Sequence, residues 1–372
     1  MLRLVFRNLF QSKVRLVISA GGVALALMLI LALDAIMAGV ERQVTAYIDY
    51  SGADVWVSQE NVRNMHMASS TLSSSVVARV KGVEGVESAT PILYLTSFIE
   101  MGADRHSAYV IGLPNDPLIG GPWRVVAGKT IPVSKEIIID REIADKSGKG
   151  IGDTVKILGE EFKVAGLSEG TTSATGGSVA FISKKDWGRL QASDSIVSFV
   201  LVKVKPGESP DAVAARIEAQ AAQRKVTAQT RQQFANQERQ VVKDMSTDII
   251  TIMNLVGFLI GLAVMALTVY TATLARRAEY GVLKALGARN SHLYRAVIGQ
   301  ALISVALGFA LGLAFTLLLS AIVPRLGLPL ALEVRGDALA QAGSVSFVIA
   351  ALSAILPIKQ IAGLDPVMVF RR

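Results

Sequence analysis

Cysteine is absent from the 372 residues, and histidine occurs three times, as His66, His106 and His292. The first absence excludes a disulfide framework, a Cys-based zinc site, a thiol nucleophile and thiolate-ligated iron–sulfur chemistry. The histidines lie too far apart in sequence to suggest a zinc cluster or a Ser-His-Asp hydrolase, so no catalytic residue and no metal ligand is assigned. Met65-His66-Met67 offers soft donors of the kind that haem or copper takes, but such triplets are ordinary in solvated loops. The phosphate-cradling pattern GxxxxGK[ST] is also missing. Ser147-Gly148-Lys149-Gly150 is a glycine turn with a lysine, lacking the first glycine and the closing hydroxyl.

Charge is scarce as well. Only 18% of residues are charged against 51% hydrophobic, too apolar a balance for a plain soluble enzyme. The +8 formal charge does not point to nucleic acid, because Lys and Arg gather at the ends of apolar runs and form no interleaved aromatic and basic patch. Four runs carry no charge, at residues 16–33, 249–275, 296–324 and 338–358. Each is near or above the roughly 20 residues that cross hydrocarbon as a helix. A cleavable leader is the other reading of the first, since Arg3, Arg7, Lys13 and Arg15 precede it. Its length and the three later runs favour a retained anchor. No ionisable group sits inside any run, which excludes the intramembrane relays on which ion-coupled transporters depend. Asp34, just past the first run, reads as interfacial.

Short-loop charge sets the expected orientation. The amino-terminal piece holds Arg3, Arg7, Lys13 and Arg15; the 276–295 loop holds Arg276, Arg277, Lys284, Arg289 and Arg295; the tail holds Lys359, Arg371 and Arg372. All three are expected in the cytoplasm, with both termini. The 325–337 loop, where Arg325 and Arg335 balance Glu333 and Asp337, is expected outside, as is the long stretch between the first two spans. The expected class is therefore a multi-pass α-helical membrane protein, with four transmembrane helices and a large extracytoplasmic α+β domain between helices 1 and 2.

The organisation read from the chain is an interfacial amphipathic helix at 1–15, a first span and stalk at 16–50, and an external domain at 51–230. A second stalk and span follow at 231–275, a cytoplasmic segment at 276–295, spans at 296–324 and 338–358 around the 325–337 loop, and a tail at 359–372. Helical spacing of Ile36, Val40, Val44, Tyr47 and Ile48, matched by Phe234, Val241, Val242 and Met245, suggests paired stalk helices. Strand-like runs lie at 53–58, 86–100, 106–111, 136–140, 154–158, 161–166, 179–183 and 196–205, with helical signals at 72–81 and 210–224. The outer pieces, 53–112 and 195–230, suit a porter-like lobe, and about 124–190 a small β-rich insert. Residues 170–178 read as a mobile loop, or as a contact for cargo or an adaptor. Gly257 with Gly261, and Gly308 with Gly312, have the small-xxx-small spacing that lets helix backbones approach in lipid, within one subunit or across a dimer.

The 276–295 segment is the most specific feature. Its wording, Arg276-Arg277-Ala278-Glu279-Tyr280-Gly281-Val282-Leu283-Lys284-Ala285-Leu286-Gly287-Ala288, closely resembles the cytoplasmic coupling segment of the MacB/FtsX-type permeases of ABC transporters. Gly363-Leu364-Asp365-Pro366 and the final Arg371-Arg372 resemble the family's usual finish. Among its members, stand-alone permeases of the DevC-like and haem-exporter kinds share this chain length. The residues suit a short amphipathic helix, with Val282, Leu283 and Leu286 as its apolar set, Gly287 able to end it, and Ser291 able to cap the next helix.

The resemblance implies a non-catalytic permease subunit in the bacterial plasma (inner) membrane. ATP and magnesium then belong to a cytoplasmic ABC ATPase subunit, a second copy of the permease stands alongside as a homodimer, and a periplasmic adaptor is a further partner. It implies export or extraction of a hydrophobic or amphiphilic cargo. The alternative is an FtsX-like mechanotransmitter that activates an extracytoplasmic cell-wall hydrolase; relatives of that kind have smaller outer domains.

Overall fold

The computed structural model describes residues 13–102, 104–170, 177–191, 195–326 and 332–363. The expected amphipathic helix at 1–15 falls largely outside these residues, as do the 171–176 loop and the Asp-Pro tail. In chain order the elements are α1 (Lys13–Tyr50), β1 (Val55–Gln59), β2 (Leu72–Ser73), α2 (Ser75–Lys81), β3 (Val86–Met101), β4 (Asp104–Leu113), β5 (Val125–Gly128), β6 (Glu136–Asp140), α3 (Arg141–Ser147), β7 (Thr154–Ile157), β8 (Glu160–Ser168), β9 (Ser178–Ser183), α4 (Lys184–Leu190), β10 (Ile196–Val197), β11 (Phe199–Val204), α5 (Pro210–Ala221), β12 (Val226–Thr230), α6 (Arg231–Ala275), α7 (Arg277–Ala285), α8 (Asn290–Ile322), α9 (Gly336–Ser353) and α10 (Ile355–Ala362). They fall into two compact units, Val40–Met245 and the remainder.

Within Val40–Met245, β1, β3, β11 and β12 form an antiparallel sheet in the order β12-β1-β11-β3. With α2 and α5 this is a βαββαβ unit of ferredoxin-like order. Alternation along the strands sends Val55, Val57, Val200 and Val202 to one face, where they form one apolar cluster with Val76 and Val80 of α2 and Val213 and Ile217 of α5. Trp56, Phe199, Leu201 and Ile92 share a second cluster with Tyr47 and Ile48 of α1 and Phe234 of α6. There the Trp56 and Phe234 rings stack at 4.9 Å. The Tyr47 hydroxyl donates to the Gly120 carbonyl at 2.7 Å, while Arg239 meets Asp49 at 3.2 Å and Lys243 meets Glu41 at 3.5 Å, which joins residues 40–50 to 231–245.

The second lobe is a closed ring. β3 pairs β4, β4 pairs β9, β9 pairs β6, β6 pairs β8, β8 pairs β7, and β7 returns to β3. Closure leaves these strands no open edge for another chain to extend. The β7–β8 hairpin turns on Leu158 and Gly159, at φ 49° and 83°, the left-handed pair of a two-residue type I′ turn. The expected insert at about 124–190 is thus corrected, because the lobe also takes Leu93–Met101 of β3 and all of β4. β3 is 16 residues long; its first half pairs β11 in the ferredoxin-like lobe and its second half pairs β4 in the ring. No turn marks the change.

The other unit holds α1 as far as Gly39, α6 from Ser246 on, and the later helices. Among the described residues four helices are long and apolar enough to cross a membrane: Val17–Tyr50, Arg231–Ala275, Asn290–Ile322 and Gly336–Ala362. Half of the first helix's apolar window is buried, against 17% for the second, which makes α1 the central helix of this unit.

Candidate functional site

Among the site residues expected from sequence, the 276–287 set is placed on and around α7. The helix is anchored on one side. Tyr280, 7% exposed, is buried in one apolar cluster with Leu293, Val297, Ala354 and Ile361. Burial holds its phenol above the ordinary tyrosine range, against the opposing pull of Arg276, so the ring stays neutral. Gly281 is buried beside it. Lys284 Nζ donates to the carbonyls of Ile361 at 2.9 Å and Ala362 at 3.2 Å, placing a cation on the carbonyls that end α10.

The opposite side is open. Val282, Leu283 and Leu286 are 41%, 37% and 79% exposed, and Arg277 and Glu279 are exposed with them. Gly287 closes the helix at φ +87°, its N–H donating to Lys284 O while Ala288 N–H reaches back to Leu283 O. That pair of bonds is the Schellman arrangement, for which glycine is the favoured residue. The expected Ser291 cap is corrected: α8 starts at Asn290 with Arg289 as N-cap and no side-chain capping bond. Arg276 occupies the N-cap of α7 at φ −110°.

Both glycine pairs lie against α1. A Cβ on Gly257 would meet Ile30 at 3.0 Å, and one on Gly261 would meet Ala26 at 3.1 Å. On Gly308 it would be 2.7 Å from Val23, and on Gly312 2.9 Å from the Ala24 carbonyl. The close approach expected from the spacing is therefore to α1 of the same chain. The reverse seat is Gly22, where an added Cβ would collide with the Val264 side chain of α6.

Met65-His66-Met67 is split by the fold. Met65 is 2% exposed and Met67 62%. His66 Nδ1 lies 2.8 Å from Glu238 Oε1. No cluster of three or more His, Cys, Asp or Glu side chains suited to a metal occurs among the described residues.

Two family descriptions match the chain: the MacB-like periplasmic core domain over residues 16–220 and the FtsX-like permease C-terminal region over 251–366. The chain belongs to the MacB/FtsX-type ABC transporter permease family. An uncharacterised ABC transporter permease from two strains of Mycobacterium tuberculosis is 22% identical over 381 residues, covering 100% of this chain and 99% of its own length. Among solved structures, the periplasmic region of MacB from Actinobacillus actinomycetemcomitans aligns with 52% of this permease and 94% of itself, at 10% identity and TM-score 0.39. The extracellular domain of the noncanonic ABC-type transporter YknZ from Gram-positive bacteria aligns with 48% of this permease and 99% of itself, at 12% identity and TM-score 0.38.

The FtsX-like match spans α7, and the MacB-like match spans most of Val40–Met245. In this permease the anchor of α7 was only half legible in sequence. The 276–288 wording singles out Lys284, but its partners are carbonyls 77 and 78 residues away, and carbonyls leave no trace in a side-chain pattern.

Proposed function

We propose that this permease transmits the work of a separate cytoplasmic ABC ATPase subunit to its extracytoplasmic domain and so exports or extracts a hydrophobic or amphiphilic cargo. One observation carries the reading. α7 is held by Tyr280 and Lys284 on one side, yet presents Val282, Leu283 and Leu286 to the outside between two membrane-crossing helices. A polar-flanked apolar face on an anchored short helix suits insertion into a groove of a partner protein. ATP and magnesium are assigned to that partner. The basic segments set α7 and both termini in the cytoplasm and the strand-rich domain outside the bacterial plasma membrane.

A second copy of the permease completes the assembly in this reading, and α6, the least buried of the four helices, with Ile249, Ile252, Leu255 and Leu259 exposed, is the helix that would meet it. A periplasmic adaptor belongs to the same proposal, at the outer domain.

The test is Leu286→Asp, alone and with Leu283→Asp, in the complex purified with its ATPase. Charging a buried contact of this kind costs at least about 2 kcal/mol, roughly thirtyfold in affinity. The expected outcome is loss of copurifying ATPase and of permease-stimulated hydrolysis, with the outer domain still folded by protease resistance. Undiminished copurification and stimulation in the double variant would end the proposal.

A further inference from the structure

Two cations, one opening α7 and one on α10, face the same cavity. Arg277 and Lys359 form no ion pair among the described residues, and both line one cavity of about 230 Å³ with Thr273, Leu274, Gln360 and Gly363. Thr273 and Leu274 belong to the last turn of the second membrane-crossing helix, and Lys359 and Gln360 to the last turn of the fourth. The cavity therefore opens where two spans leave the hydrocarbon, at the depth of the bilayer phosphates. Leu274 is 46% exposed, so the cavity has an apolar shoulder on its α6 side.

The usual employment for a lysine at a helix end is already taken. Lys284 sits on the terminal carbonyls of α10, so Lys359 is not needed there. Two like charges facing one small cavity repel each other, and an anion between them converts that repulsion into attraction. Arginine and lysine together match a phosphodiester, the first through its fork and the second as a point charge. Gln360 adds a neutral donor and acceptor for headgroup hydroxyls.

We propose that this cavity binds the headgroup of an anionic phospholipid, its phosphate held between Arg277 and Lys359 and its acyl chains running along Leu274. The inference rests on the cytoplasmic placement of α7 only for the choice of leaflet, which is the inner one, where basic pockets between helices meet anionic lipid. A lipid seated there ties the start of α7 to α10, as Lys284 ties its end. The seat of α7 is then fixed at both ends only in a membrane that contains anionic lipid.

The experiment uses the full-length permease in mild detergent without any ATPase. It is equilibrated with short-chain phosphatidylglycerol or with phosphatidylcholine of the same chains, and bound lipid is counted by native mass spectrometry. The expected result is one phosphatidylglycerol retained per chain in preference to phosphatidylcholine. With about 1 kcal/mol per basic residue near an anionic surface, Lys359→Gln lowers the preference roughly fivefold, and its combination with Arg277→Gln roughly twenty-five-fold. Arg295→Gln, which removes a cation from α8 that does not line the cavity, leaves it unchanged.

If the double variant does not fold, the pair Lys359→Arg and Lys359→Gln decides, the first keeping the preference and the second losing it. Equal retention of both lipids, or a preference untouched by Lys359→Gln, overturns the proposal. So does displacement of the lipid by inorganic phosphate alone, which would make the site one for a free anion, or its one-for-one expulsion by added ATPase subunit, which would give the cavity to a protein carboxylate. Copurification of that ATPase with Lys359→Gln is scored separately, so the coupling reading stands or falls on its own result.

Discussion

Glu238 has both oxygens claimed and is 1% exposed. One accepts the Met65 N–H at 2.6 Å and the other meets His66 Nδ1 at 2.8 Å. Removing the carboxylate strands a buried backbone donor, which costs about 1–3 kcal/mol before any packing loss. Glu238→Ala is expected to lower the thermal midpoint of the outer domain and to open the segment around Met65 to protease. Glu238→Gln keeps an acceptor for Met65 and is expected to recover much of that loss. Equal damage from both would show that charge, and not the bond to Met65, matters. Sequence reading could see His66 but not its partner, because Glu238 is one of several charges on a stalk helix and lies 172 residues away.

At the scale of elements, the glycine seats and the strand rims respond to different variables. Gly308→Ala puts a methyl 2.7 Å from Val23, whereas Gly343 has nothing within 4 Å of a Cβ. Overpacking of a tight contact costs about 1–3 kcal/mol. Heating in detergent is expected to separate the two, with Gly308→Ala clearly less stable than the wild type and Gly343→Ala indistinguishable from it or better. Similar midpoints for both would mean that α8 moves freely off α1.

On the rim of the ring, the Lys129 ammonium bonds Glu136 at 2.7 Å and holds its carboxyl below the ordinary glutamate range. A lowered native pKa gives stability that is present above the unfolded value and lost as pH falls through the native one. Lys129→Met is therefore expected to reduce stability at neutral pH by at most about 1 kcal/mol and to leave it unchanged below the carboxylate range. The check is the pH dependence of the outer domain's thermal midpoint. A deficit that persists in acid would assign the effect to packing.

For the molecule as a whole, legibility follows the solvent. Hydrocarbon forbids charge, so the four spans stand out as uncharged runs, and the positions of Gly257, Gly261, Gly308 and Gly312 were visible for the same reason. What they touch was not, since Ile30, Ala26 and Val23 are ordinary residues of an apolar helix. The ring was misjudged because β3 serves two lobes through an uninterrupted strand. The short α3 was missed although its marks were present: Asp140 caps its first turn and Gly148 ends it at φ 65°. In the 276–295 segment, wording singled out α7, Gly287 ends it in the left-handed region, and Ser291 does not cap, because Arg289 already takes that position in extended backbone.

The centrality of α1 bears on how the protein is made. Gly257 and Gly308, which close upon it, are translated more than 200 residues after Ile30. At ordinary elongation rates that gap lasts on the order of ten to forty seconds. For that time α1 must stand alone in the lipid while the intervening chain is exported past it. Its uncharged run at 16–33, with Ile30 and Val23 where Gly257 and Gly308 will later dock, is what makes such a solitary wait tolerable.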